Sequence, residues 1–307
     1  MKVIRKLYIS VLFIFSLSAM SGEAFAQNDS VAKAALILSD QSIPQEKRAK
    51  LALETIDRAI THPQSAKSAY AWYVRGFVYK EWYKTFETQN KKSKTRMDAF
   101  TFFKRSLELD STKEYESDIK KNIKWIGFQF YNDAGALLDA TNYPTALENY
   151  ARFKEAILIA EPSYNLKVRE IEFKKALATV YTNLFRSDIK GNSKFYGMTE
   201  ELYKQVLVLD TNEINANYNL AMLYYNYGVD IINNMPVESD IIVIENIQEE
   251  AKSQFKKALP YALKAHTLDP KRREPIIALQ GIYFSLYEFE KSDEFKAKLD
   301  LIDKKDK

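Results

Sequence analysis

The sequence predicts an all-α chain folded as an array of antiparallel helix pairs, and three observations carry that expectation. Gly and Pro are scarce, 8 of each in 307 residues. That leaves few of the turn-forming residues which a sandwich or a doubly wound sheet needs between its strands. A small residue set among aromatics at helical spacing recurs, as in Trp72, Gly76 and Tyr79 or in Leu220, Ala221 and Tyr224. Several apolar stretches close on the same pair, Leu109-Asp110, Leu209-Asp210 and Leu268-Asp269, the last followed by Pro270. Gly or Ala at a helix crossing lets two backbones approach while neighbouring rings fill the space beside them. The 20 Tyr and 18 Phe are read as that filling, and 46% hydrophobic with 28% charged residues is a globular balance.

The first 26 residues read as a secretory signal of bacterial type. Lys2, Arg5 and Lys6 precede an apolar run from Leu7 to Met20, and Ala24-Phe25-Ala26 offers small residues where a signal peptidase inspects them, so cleavage before Gln27 is expected. The run of 14 residues is short for a membrane span, which needs about 20. This segment holds +2 of the formal +4 charge, so the remainder is near neutral and lacks the basic excess of a nucleic-acid binder. No cysteine is present, which excludes disulfides, thiolate metal sites and a lipidated N-terminal cysteine.

Residues 27–307 are expected to form one helical-repeat domain. Ala52, Ile56 and Ala59 followed by Pro63 read as a lone second helix. Trp72, Gly76 and Tyr79 mark the first helix of a full pair, answered by Ala99 and Phe103. The next pair has Phe130, Ala134 and Leu137, the turn Asn142-Tyr143-Pro144-Thr145-Ala146, and Tyr150. A third has Leu177, Ala178 and Tyr181, closed by Tyr203 and Val206 to Asp210. A fourth runs from Ala216 to Gly228 and closes on Ala258, Ala265 and Leu268-Asp269-Pro270, and a weaker last copy has Gly281 and Phe284.

These units resemble the tetratricopeptide repeat, whose first helix carries Trp, Leu-Gly or Leu-Ala, then Tyr, and whose second carries Ala, an aromatic, Ala and a closing Pro. Asn217 stands where the usual Trp would be. The resemblance implies a right-handed superhelical array, a tetratricopeptide-like α-solenoid, covering about Lys50 to the end. The small positions lie 58, 44, 43 and 60 residues apart rather than about 34, so the repeats are enlarged and irregular. Two insertions account for this. Residues 229–250, with Ile231-Ile232 and Ile241-Ile242-Val243-Ile244, are too apolar for a solvated linker and are expected to fold back on the array or dock a partner. Lys91-Lys92-Ser93-Lys94 reads as a basic solvated loop.

By resemblance, the first helices line a groove that takes a peptide or partner helix. Its positions would be Tyr70, Tyr73 and Phe77, then Tyr131, then Lys175, Thr179 and Thr182, then Tyr218, Asn219, Met222 and Tyr225. The carboxylate clamp of some family members is incomplete: Lys175 and Asn219 occupy two of its places, but Thr179, Pro275 and Leu279 occupy the others. No phosphate loop, nucleophile elbow or paired-His helix occurs, and the two histidines, His62 and His266, anchor no metal motif. The expectation is an exported, non-enzymatic scaffold without cofactor or metal, binding a protein or peptide for cell-envelope assembly. A glycan or small ligand stacked on the groove's aromatics is the second expectation, and the framework is similar in fold to that of starch-utilisation binding proteins.

Overall fold

The computed structural model describes residues 22–236, 238 and 240–305, so the expected signal lies outside the described residues except for 22–26, which open the first helix. Every regular element among them is helical, and no helix is long and apolar enough to cross a membrane. The chain divides into two compact units, one ending at Ile126 and one beginning at Gly127.

The first unit holds α1 (Gly22–Ser39), α2 (Gln45–Ile60), α3 (Ala69–Trp82), α4 (Lys94–Leu109) and the first half of α5 (Glu116–Ala136). The segment read as a lone second helix is not alone. α1 packs on α2, with Val31 and Ala34 buried beside Ala52 and Ile56. The sequence pattern missed α1 because its contact face has Val and Ala in place of the aromatic signature. α3 and α4 run antiparallel: the Ser106 hydroxyl donates to the Ala69 carbonyl at 2.8 Å, Gly76 faces the Phe103 ring, and the Arg96 guanidinium donates to the Tyr83 hydroxyl at 3.2 Å.

The loop read as basic and solvated is instead tied down. A π turn, Tyr83–Glu87, prolongs α3, and the Glu87 carboxylate accepts from the Trp82 indole (3.1 Å), the Ser93 hydroxyl (2.7 Å) and the Thr95 hydroxyl (2.9 Å). Ser93 is fully buried and caps α4 by accepting from the Arg96 amide, while Lys92 and Lys94 stay exposed. A charge run in sequence does not reveal the serine that anchors it.

The second unit holds the rest of α5, then α6 (Tyr143–Ala160), α7 (Lys167–Ser187), α8 (Lys194–Leu209), α9 (Ile214–Asn233), α10 (Ile241–Leu268), α11 (Arg273–Ser285) and α12 (Phe289–Lys305). Its hairpins pair in order. Gly127 faces Ala156 and Tyr131 faces Phe153 across α5–α6, and Tyr181 meets Phe195 while Lys174 reaches Gln205 across α7–α8. Tyr224 meets Tyr261 and Gly228 meets Phe255 across α9–α10, and Tyr283 meets Phe295 across α11–α12. Antiparallel helix pairs are therefore what the chain builds, as the tetratricopeptide resemblance implies. Ala134, Ala178 and Ala221 are completely buried at these crossings.

The Leu-Asp endings also have a physical role. Asp110, Asp210 and Asp269 each leave the helix in a non-helical conformation. Their carboxylates then accept from amides of the following turn, as when Asp110 takes Glu114 and Tyr115 at 3.1 and 2.8 Å. Asn217 takes over the hydrogen bonding of the usual Trp: its amide donates to the Thr211 and Glu213 carbonyls, holding the preceding turn as the Trp72 indole does by donating to Ala66. The segment 229–250 does not fold back on the helix pairs. It lengthens α9 to Asn233 and opens α10 at Ile241, making a tall hairpin in which Ile232, Ile241 and Ile242 are exposed.

Candidate binding groove

Within the second unit, the first helices α7, α9 and α11 line two adjoining cavities. One, about 370 Å³, lies between α9 and α11, with Tyr218, Met222 and Tyr225 on one wall and Ile277, Gly281 and Phe284 on the other. Gly281 leaves room for the Tyr225 ring: a Cβ would stand 2.8 Å from its hydroxyl, which would have to shift. The second, about 350 Å³, lies between α7 and α9 and is bordered by Thr179, Thr182, Asn183 and Arg186 on α7 and by Asn219, Asn226 and Asp230 on α9. Tyr218 and Met222 border both, so the two form one groove, apolar at the α11 side and polar at the α7 side. Tyr203 from α8 also lines the polar part; burial pushes its hydroxyl pKa up, while hydrogen bonds with Thr179, Asn219 and Thr182 pull the other way.

Six residues expected in the groove therefore stand together here: Thr179, Thr182, Tyr218, Asn219, Met222 and Tyr225. Lys175, on the same helix α7, is engaged in holding the repeats together. Its ammonium lies 2.5 Å from the Glu213 carboxylate, which also caps α9 by accepting from the Ala216 amide. Tyr131 borders a separate cavity of about 360 Å³ with Glu172 and Phe173, and its hydroxyl donates to Glu172 at 2.8 Å. In the first unit, Tyr70, Tyr73 and Phe77 form a packed aromatic cluster with Tyr115 and Phe103. Tyr73 donates to Asp118 at 2.8 Å, and burial followed by that hydrogen bond raises its pKa well above the usual range.

The sequence reading passed over Asn183, Arg186 and Asn226, whose side chains make no hydrogen bond or ion pair among the described residues. The signal for them was helical spacing. Asn183 follows Thr179 by four residues, Arg186 follows Thr179 by seven, and Asn226 follows Met222 by four. They escaped because α7 and α9, at 21 and 20 residues, outlast the helix that the repeat pattern defines.

The arrangement offers groups suited to recognition. Among the described residues no group of His, Asp and Glu is placed to hold a metal ion. His266 packs on Phe295 at 5.4 Å, and burial, then the nearby Lys298, lower its pKa.

Fold and groove thus define a class, an all-helical protein of stacked antiparallel hairpins with a mixed polar and apolar groove on its first helices. No family model matches the chain, and no curated protein matches it. Among solved structures it is similar to PilW, described as a widely conserved type IV pilus biogenesis factor, at 16% identity over 89% of this chain and 92% of that one, with a TM-score of 0.30. It is also similar to the S. pombe nuclear import adaptor Nro1, at 11% identity over 90% and 93%, with a TM-score of 0.34.

Proposed function

We propose that this chain is an exported binding scaffold that seats a peptide or partner helix in the groove over α7, α9 and α11 and serves assembly at the cell envelope. The observation that carries this reading is the continuity of the two cavities through Tyr218 and Met222, with the unpartnered amides of Asn183 and Asn226 and the Arg186 guanidinium along the polar part. Free side-chain amides both donate and accept, which suits a main chain, and Tyr with Met supplies apolar area beside them. Export rests on the N-terminal segment read from sequence.

The test uses the chain from Gln27 as bait against a cross-linked envelope fraction, beside a Met222→Arg variant. Met222 is only partly buried, so the variant should melt with the wild type. A protein enriched by the wild type and lost from Met222→Arg supports the reading; equal recovery with wild type and variant sinks it. A glycan ligand is favoured by one observation, the exposed ring trio Phe284, Tyr287 and Phe289, with centroids 5.5 and 6.1 Å apart along the series 284–289–287. A soluble glycan panel that quenches Tyr and Trp fluorescence would move the assignment to that ligand.

A further inference from the structure

The closing end of the α9–α10 hairpin has features the helix pairs do not need. Ile241 and Ile242 are 67% and 65% exposed, and Ile232 and Val243 are exposed beside them. Polar groups cap both helix ends beside them. The Asp240 carboxylate accepts from the Val243 amide at 2.9 Å and starts α10, while the Asn234 side chain and amide both donate to the Asp230 carbonyl, at 2.7 and 3.0 Å, and finish α9. The segment itself carries charge of one sign: residues 231–250 include Glu238, Asp240, Glu245, Glu249 and Glu250 and no Lys or Arg.

From these features we infer that the α9–α10 tip is a second docking element, inserting its isoleucines into an apolar cleft of a partner protein whose rim carries Lys and Arg. Four exposed branched aliphatics at two capped helix ends gain by burial, and the carboxylates interspersed with them along the chain select a basic rim and reject an acidic one. The same charge sets aside two other occupants. An anionic lipid surface repels the carboxylates. Two copies meeting tip to tip would bring like charges into contact. The inference stands apart from the groove, since none of the tip isoleucines lines it.

The experiment places a photo-cross-linking amino acid at Ile242, and in a separate protein at the exposed Val208, and irradiates each in an extract of the source cells. Adduct peptides are then sequenced. The expected result is an Ile242-specific adduct on an apolar partner segment flanked by Lys or Arg. Its yield should fall at least about tenfold in a Glu238→Lys/Glu245→Lys background and with added salt. It should persist in Met222→Arg, which separates the tip from the groove. The charge reversals leave Asp240, and so the cap, in place; far-ultraviolet circular dichroism verifies the helices. Adducts on lipid, on another copy's tip or on an acidic segment overturn the inference. So does a pattern equal to that from Val208, or a yield indifferent to charge reversal.

Discussion

Gly228 and Gly197 sit in helices of the same unit with opposite surroundings, and they make a paired test at the residue scale. A Cβ on Gly228 would lie 2.6 Å from the Phe255 ring and 3.0 Å from the Ala251 carbonyl oxygen, so helix α10 must shift to admit it. Gly228→Ala should therefore cost about 1–3 kcal/mol despite its better helix propensity. A Cβ on Gly197 meets nothing within 4 Å, and Gly197→Ala should gain up to about 1 kcal/mol. Denaturant titration of both proteins checks the sign of each. Ala221, completely buried, admits no ring: Ala221→Phe should lower the melting temperature by roughly 5 °C, and an unchanged melt would break the alignment that puts it at the crossing. Such small-residue positions were legible in sequence because a close crossing restricts the side chain to Gly or Ala. Ser93 was not legible, since what makes it structural is Glu87, which belongs to the other side of a turn.

At the scale of elements, helix starts and stops are decided by single polar groups. Glu213 caps α9 and pairs with Lys175 from α7, so Glu213→Ala removes a cap and leaves an ammonium without its partner, at a cost of about 1–2 kcal/mol readable by urea denaturation. α10 contains Pro260, exposed within a helix of 28 residues. A proline there removes one backbone hydrogen bond and crowds the preceding turn, so Pro260→Ala should raise stability by about 1–3 kcal/mol. A loss instead would mean that α10 needs a bend at that point. The segment 229–250 shows what repeat length leaves open: the surplus residues at the hairpin tip continue two helices, whose hydrogen bonding needs no family pattern to propagate.

For the molecule as a whole, the many buried tyrosines make alkaline stability a sharp test. Burial is the first cause that raises the pKa of Tyr73, Tyr150, Tyr196 and Tyr224 above the ordinary value of 10.0. A group whose folded pKa is raised contributes stability that is present below its unfolded pKa and is lost as pH climbs above it, because the unfolded chain ionises first. Tyrosinate absorbance and loss of helical ellipticity should therefore rise together above about pH 10. Full tyrosine titration near pH 10 with helices intact would contradict the packing of these rings. Helix as the only regular structure among the described residues, the pairing of helices in order and the small residues at their crossings were determined by the sequence alone, as was the placing of six residues that border adjoining cavities. All follow from local spacing and side-chain size, which a linear pattern records. The tertiary structure decided that Lys175 is a tie between helices, that Tyr70, Tyr73 and Phe77 are packed together, that Asn183, Arg186 and Asn226 join the groove, and that the isoleucines of the tall hairpin stay outside. The physical reason is that partnership and burial depend on residues distant in the chain, brought near only when the helices pack.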